Sequence, residues 1–143
     1  MTQIPFEILK VGHCQQNERM ACRAAPWRRS DFPALVALLR HPDAGVMLFD
    51  TGYAARFFAA TTHWPERLYR VTTPVTLPDD EVLKVQLAAR GLSPGDIDTI
   101  IVSHFHGDHV CGLKDFPDAD FICARAGLEQ VRAVRGVQAV RRG

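Results

Sequence analysis

The chain has 143 residues, of which 47% are hydrophobic and 23% charged, and its formal net charge is +1. This composition is typical of a single globular domain and gives no electrostatic reason to bind nucleic acid or an anionic membrane. The sequence has no apolar run long enough to cross a bilayer and no signal-peptide pattern, so we expect a cytoplasmic protein without a membrane partner. The cysteines lack C-x-x-C spacing and are predicted to be reduced thiols.

The N-terminal part of the chain predicts one strand followed by an irregular segment. Residues 4–11 alternate apolar and polar side chains, which indicates a half-buried strand with Ile4, Phe6 and Ile8 on one side. Residues 12–30 show no period and contain several arginines, so we expect a long, solvated loop there.

Two apolar runs, residues 32–40 and 46–49, flank a segment of turn-forming residues. This pattern predicts a β-hairpin that ends at Asp50. A carboxylate at the end of a buried strand needs hydrogen-bond partners. Asp50 would find them either by capping a helix predicted at 53–60 or by facing a neighbouring loop.

The middle of the chain is rich in aromatic side chains and prolines, and it either packs on the core or overhangs a site. Residues 79–91 then predict a helix that ends at a glycine. Residues 99–103 form a β-branched apolar run, which predicts a strand buried on both faces. A short strand at 121–123 and a helix at 124–140 are expected to follow.

The sequence Ser103-His104-Phe105-His106-Gly107-Asp108-His109, which we call the histidine loop, comes directly after the apolar run. Three imidazoles and a carboxylate within six residues indicate metal binding, because imidazole is the commonest zinc ligand and carboxylate oxygen accompanies it. His104 and His106 are two residues apart, so in an extended segment both side chains leave on the same side. After a bend at Gly107, Asp108 and His109 would point towards a second position. A polar loop whose histidines satisfy backbone groups is the alternative.

Two segments carry a resemblance to a known family. Residues 99–109, followed by Gly112-Leu113, resemble the metal-binding signature of the metallo-β-lactamase superfamily. Residues 48–52, which read Leu-Phe-Asp-Thr-Gly, resemble the earlier strand-end motif of the same superfamily. Residues 38–52 and 91–109 are similar to the lactonase-like branch.

The resemblance implies a zinc-dependent hydrolase with up to two zinc ions. His104 and His106 would bind the first ion, and Asp108 and His109 the second. A metal-bound hydroxide would attack an ester or lactone carbonyl of a small-molecule substrate, and Asp108 would also pass a proton to the leaving group. Asp50 would hold the histidine loop from behind the ligands. A histidine at position 106 favours zinc and hydrolysis over redox chemistry.

The resemblance also implies an α/β (α+β) fold, the N-terminal half of an αβ/βα sandwich, in which helices flank a mixed β-sheet. Residues 1–143 are expected to form a single partial domain, truncated on its C-terminal side. Each metal position would then have two ligands, where a catalytic zinc usually has three. The sheet would expose an apolar face through which the chain could self-associate. The alternatives are a truncated, non-catalytic metal-binding or interaction module, and a relative of the superfamily's nucleases.

Overall fold

The first three long strands of the chain pair in antiparallel fashion. The computed structural model describes residues 4–133 and places β1 at Phe6–Asn17, β2 at Arg29–His41 and β3 at Gly45–Phe49. β1 pairs with β2, and β2 pairs with β3. The predicted hairpin is therefore confirmed, and its second strand ends immediately before Asp50.

The second part of the sheet is parallel. β5 (Thr99–Val102) lies parallel to β3, and β6 (Asp120–Cys123) lies parallel to β5, while a short β4 (Val75–Thr76) pairs with β1. The strand order is β4-β1-β2-β3-β5-β6. This mixed sheet with flanking helices confirms the predicted fold class, because antiparallel and parallel pairing occur in one sheet.

Six α-helices lie within residues 4–133: α1 (Glu18–Ala21), α2 (Ala55–Ala60), α3 (Arg67–Thr72), α4 (Leu83–Ala88), α5 (Gly107–Val110) and α6 (Arg125–Ala133). The helix predicted at 79–91 is a 3-10 turn at Asp79–Glu81 followed by α4. The helix predicted at 124–140 corresponds to α6, and its part beyond residue 133 lies outside the described residues. None of the helices in the described region combines the length and apolar character needed to cross a membrane.

The long loop predicted at 12–30 is wrong at both of its ends. β1 continues to Asn17 and β2 already begins at Arg29, so these two residues lie opposite each other in the sheet. The pairing register shifts around Gly12, which adopts a φ of 80°. A β-bulge adds one residue to one strand, so the alternation of apolar and polar side chains stops although the pairing goes on.

The helices cover one face of the sheet, and the core lies between the helices and that face. Leu48 and Ile100 are completely buried there, each 0% exposed, and Val102 at the end of β5 is 4% exposed. α4 contributes Leu83 and Leu87 to the same core, in which Phe116 is also buried. We call this the covered face; its strand residues are Leu9, Val11, Val36, Leu38, Leu48, Ile100 and Val102.

The opposite face of the same sheet is apolar but exposed. We call it the open face, and its exposed members are Phe6, Ile8, Leu35, Phe49 and Ile122. The side of β1 that carries Ile4, Phe6 and Ile8 is thus the solvent side, while Leu9 and Val11 point into the core. The prediction that β5 is buried on both faces is also wrong, because Thr99 and Ile101 are only half-buried. Within residues 4–133, no second layer packs on this face.

Candidate metal centre

The histidine loop begins where two neighbouring parallel strands end. β3 is followed by Asp50 and β5 by Ser103, and the backbone N–H of Asp50 donates to the carbonyl of Ile101 over 2.9 Å. The carboxyl ends of adjacent parallel strands meet at one edge of a sheet, and ligand sites of α/β proteins lie there. The fold therefore brings Asp50 against the loop, although the two are 53 residues apart in sequence.

Asp50 is a buried carboxylate with its hydrogen bonds satisfied. It is 2% exposed and adopts a φ of 64°, a left-handed conformation that aspartate tolerates better than most residues. Its two oxygens accept from the Ser103 N–H (2.8 Å) and the Ser103 hydroxyl (2.7 Å), and one of them lies 2.7 Å from Nδ1 of His109. Burial alone would raise the pKa of Asp50, but the bonds from His109 and Ser103 outweigh it and hold the pKa below its ordinary value.

Asp50 does not cap the following helix. The residue that precedes α2 is Ala54, and no side chain caps this helix. The structure thus contradicts the helix-cap alternative and directs the carboxylate to the histidine loop.

His104 and His106 lie side by side. Nε2 of His104 is 3.0 Å from Nδ1 of His106, and the ring centroids are 4.5 Å apart. Burial and the neighbouring imidazoles of His109 and His106 lower the pKa of His104, which favours the neutral form that binds metals. Two imidazole nitrogens on one tetrahedral zinc would be about 3.3 Å apart, since zinc–nitrogen bonds are about 2.0–2.1 Å long. The observed spacing fits a shared ion.

Asp108 and His109 form a second pair of donors. Oδ2 of Asp108 is 3.1 Å from Nε2 of His109, while Nδ1 of the same ring faces Asp50. Burial alone would lower the pKa of His109, but the two carboxylates outweigh it and raise the pKa to about 9. In the same way, burial alone would raise the pKa of Asp108, and His109 lowers it below its ordinary value. A proton on Nε2 is therefore able to form a hydrogen bond from His109 to Asp108.

Thr51 anchors the C-terminal end of the histidine loop, a role that our sequence analysis missed. Its N–H and its hydroxyl each donate to the carbonyl of His109 over 2.9 Å. The N–H of Gly112 donates back to the Thr51 hydroxyl over 3.1 Å, and a Cβ at Gly112 would lie only 2.9 Å from that of Thr51. The only sequence signal was the adjacency of Asp50, Thr51 and Gly52, which does not reveal contacts to residues almost sixty positions away.

The two donor pairs do not amount to a complete site. Of the residues that the structure describes, no three or more His, Cys, Asp or Glu side chains are grouped so that they could hold an ion by themselves. His104 and His106 supply two nitrogens, and Asp108 and His109 one oxygen and one nitrogen. This nitrogen-rich donor set suits zinc, which is borderline in softness, better than magnesium or calcium.

The aromatic segment after Asp50 packs against the histidine loop. Phe57 is 5% exposed and meets Tyr53 and Tyr69 edge-on, with ring centroids 5.3 and 5.6 Å apart. A Cβ at Gly107 would lie 3.5 Å from the Tyr69 hydroxyl, so α3 approaches the loop closely. Burial and the charge of Asp108 raise the pKa of Tyr69 to about 12. Phe57 and Tyr69 therefore pack next to the site, whereas Trp64 is exposed.

A cavity opens on the other side of the loop, between His104, His106 and α6. Its volume is about 210 Å³. Gly127 allows α6 to approach, because a Cβ there would lie 3.3 Å from the Phe105 ring. Gln130 is the polar side chain that α6 contributes to the lining.

The chain matches known proteins in sequence, in structure and through a family model. By sequence, the chain is 34% identical over 89 residues to an N-acyl homoserine lactonase, AiiB, of Agrobacterium fabrum, covering 62% of this chain and 32% of the relative. It is also 29% identical over 119 residues to ribonuclease BN of Escherichia coli, covering 81% of this chain and 28% of the relative. This chain thus spans about a third of the length of these curated relatives.

By structure, the chain superimposes on solved lactonases with low sequence identity. An N-acyl homoserine lactone hydrolase with the product N-hexanoyl-L-homoserine bound at its catalytic metal centre gives a TM-score of 0.79 at 21% identity, covering 98% of this chain and 57% of that one. AidC, a dizinc quorum-quenching lactonase, gives a TM-score of 0.62 at 16% identity, covering 94% of this chain and 46% of that one. These likenesses show that the fold is shared.

The family model described as Metallo-beta-lactamase superfamily matches residues 29–139. This range contains the hairpin, Asp50, the histidine loop and α6. The chain therefore belongs to the metallo-beta-lactamase superfamily.

Proposed function

We propose that this chain carries the N-terminal metal ligands of a zinc-dependent hydrolase that opens lactones or related esters. The observation that supports the proposal is the arrangement around Asp50, in which His104, His106, Asp108 and His109 lie close together at the carboxyl edge of β3 and β5. The similarity to AiiB, named as an N-acyl homoserine lactonase, supports a lactone as the substrate class.

In this proposal each donor pair has its own position. His104 and His106 hold one ion, and Asp108 and His109 hold the other. When bound, zinc supplies an activated water near neutral pH and a Lewis acid for the carbonyl oxygen. Asp108 also moves the proton: its carboxylate would accept the proton released by the attacking water and pass it to the leaving oxygen. Asp50 keeps His109 oriented by accepting from Nδ1, so that Nε2 points away from the core.

Completing the site requires further donors. Each position has two donors among the described residues, and a catalytic zinc usually has three protein ligands. We propose that residues 1–143 form one partial domain and that the remaining ligands come from elsewhere, either from a longer polypeptide or from a second copy. A non-catalytic metal-binding module is the alternative if no such ligands exist.

The open face suggests how a second copy would bind. Ile8, Ala37, Phe49, Ile101 and Ile122 form one cross-strand row, because each is paired with the next in the sheet. At about 4.8 Å between strands, this row is roughly 19 Å wide. An apolar surface of this extent favours association, so we propose that two copies pack through their open faces.

A nuclease is the second candidate, and the similarity to ribonuclease BN is the observation that favours it. The net charge of +1 opposes it, because nucleic-acid binding relies on neutralising several phosphates. RNA binding that weakens steeply with added salt would support the nuclease; its absence would exclude this candidate.

The experiment that tests the proposed function measures three properties of one purified sample: zinc per chain, molar mass in solution, and hydrolysis of an N-acyl homoserine lactone. We expect about one or two zinc ions per chain in a defined dimer, with turnover of the lactone. Zinc without turnover would support the non-catalytic module. A chain that takes up no zinc from buffered excess would contradict the proposed site, and a monomer at every concentration would contradict the dimer.

A further inference from the structure

Ser103 lies at the centre of the hydrogen bonds that surround the proposed metal ligands. Its Oγ is 2.7 Å from Oδ2 of Asp50, 2.9 Å from Nδ1 of His104 and 3.3 Å from Nδ1 of His109. Its backbone N–H also donates to Oδ1 of Asp50 over 2.8 Å. The hydroxyl thus contacts the buried carboxylate and two of the imidazoles at once.

The direction of these bonds follows from the number of protons. A serine hydroxyl has one proton to donate, and a carboxylate accepts only. The proton on Ser103 Oγ therefore points to Asp50, and Oγ offers its lone pairs to the rings. For the 2.9 Å contact to be a hydrogen bond, Nδ1 of His104 must carry the proton and donate it to Oγ. In a neutral imidazole this leaves Nε2 without a proton, and its lone pair faces Nδ1 of His106 at 3.0 Å, where the proposed ion would lie.

We propose that Ser103 is a positioning residue that holds His104 in the tautomer protonated on Nδ1, so that Nε2 is free to bind a metal ion. Asp50 thereby orients one ligand of each pair, His109 by direct contact and His104 through the Ser103 hydroxyl. The proposal rests on the proposed metal site, but the tautomer of His104 exists in the metal-free chain and can be observed there.

The position of Ser103 separates this role from a structural one. The residue is exposed, so its side chain fills no space in the core. Removing the hydroxyl leaves the Ser103 N–H bond to Asp50 in place, and with it the connection between β3 and β5. An alanine at 103 should therefore fold normally and lose only the bonds made by Oγ.

The test compares Ser103→Ala, Ser103→Thr and a matched control, Ser30→Ala, whose hydroxyl bonds to Glu18. The first measurement is ¹⁵N NMR of the histidine rings in the metal-free chain, with His104 assigned from the His104→Gln spectrum. The second is zinc affinity, measured by competition with a chromophoric chelator. We expect Ser103→Ala to give a mixture of His104 tautomers and to weaken zinc binding about 10- to 100-fold, the usual cost of removing such a partner. Ser103→Thr should restore both, and Ser30→Ala should change neither.

The results test the positioning role of Ser103 and the proposed metal site separately. A single Nδ1-protonated tautomer of His104 in Ser103→Ala overturns the role of Ser103, whatever the zinc affinity. Zinc affinity unchanged in that variant overturns it too. If the unsubstituted chain binds no zinc, the proposed function fails, and the ¹⁵N spectrum alone then supports or overturns the positioning of His104.

Discussion

The two faces of the sheet have similar amino acids and opposite environments. On the covered face, Leu48 is 0% exposed and packs under the helices; on the open face, Leu35 is 49% exposed. Leu35 lies in β2 and Leu48 in β3, and these two strands form one antiparallel hairpin. An apolar residue in a strand predicts that another layer covers it. The difference between the two faces shows that this layer need not come from the same stretch of chain.

Like the covered face, the histidine loop is held by contacts within the described part of the chain. Thr51 holds the main chain of the loop, and Asp50 and Ser103 hold its side chains, so the polar groups behind the proposed ligands have hydrogen-bond partners. The open face has no comparable partner among residues 4–133. One side of the molecule is therefore organised by contacts within the described chain, and the other still exposes the surface that it would bury.

The largest effect is expected from His106→Ala, which tests whether the histidine loop binds a metal ion. The change leaves His104 as a lone donor at its position, so we expect bound zinc to fall to a trace at that position and any turnover to disappear. Zinc per chain, measured by mass spectrometry after gel filtration, checks this. His63→Ala is the matched control, because His63 is exposed and outside the loop. Equal zinc in the two variants would refute the ligand assignment.

The next prediction compares the same substitution on the two faces of the sheet. Leu48→Ala should lower the free energy of unfolding by about 2–5 kcal/mol, because it leaves a cavity in the core. Leu35→Ala is the same chemical change on the open face; it should cost about 1 kcal/mol or less in the dissociated chain and more in the proposed dimer, which buries this residue. Urea denaturation of both variants at several protein concentrations checks this. Equal losses would mean that the open face is covered in solution, and a loss for Leu35→Ala that grows with concentration would identify a second copy as the cover.

The last prediction concerns pH and tests the contacts of His109 with Asp50 and Asp108. In the metal-free chain, Asp108 and Asp50 raise the pKa of His109 from 6.5 to about 9. A raised pKa means that the protonated ring stabilises the fold fully below about pH 6.5, and that this contribution is lost as the pH rises through about 9. The free energy of unfolding, measured with a chelator present, should fall across this interval, and His109→Gln should lack this part of the fall. Parallel curves for the two proteins would argue against the raised pKa.

Much of the fold follows from local patterns. The hairpin, β5 and the position of the histidine loop at a strand end were all predicted, because alternation, β-branched runs and turn residues are properties of neighbouring positions. The extension of β1 beyond Gly12 was not, because a bulge breaks the alternation that defines a strand. The hydrogen-bond partners of Thr51 and Ser103 were not predicted either, since only the parallel pairing of β3 and β5 brings these residues together.

The sequence by itself determined that three histidines and an aspartate follow an apolar strand, and to which superfamily the chain belongs. The tertiary structure decided which face of the sheet is covered, that Asp50 supports the histidine loop instead of capping a helix, and that Ser103 joins His104 to that carboxylate. The physical reason is the same in each case. Periodicity and motif spacing depend on residues a few positions apart, whereas burial and hydrogen bonding depend on segments that meet only when the sheet has formed.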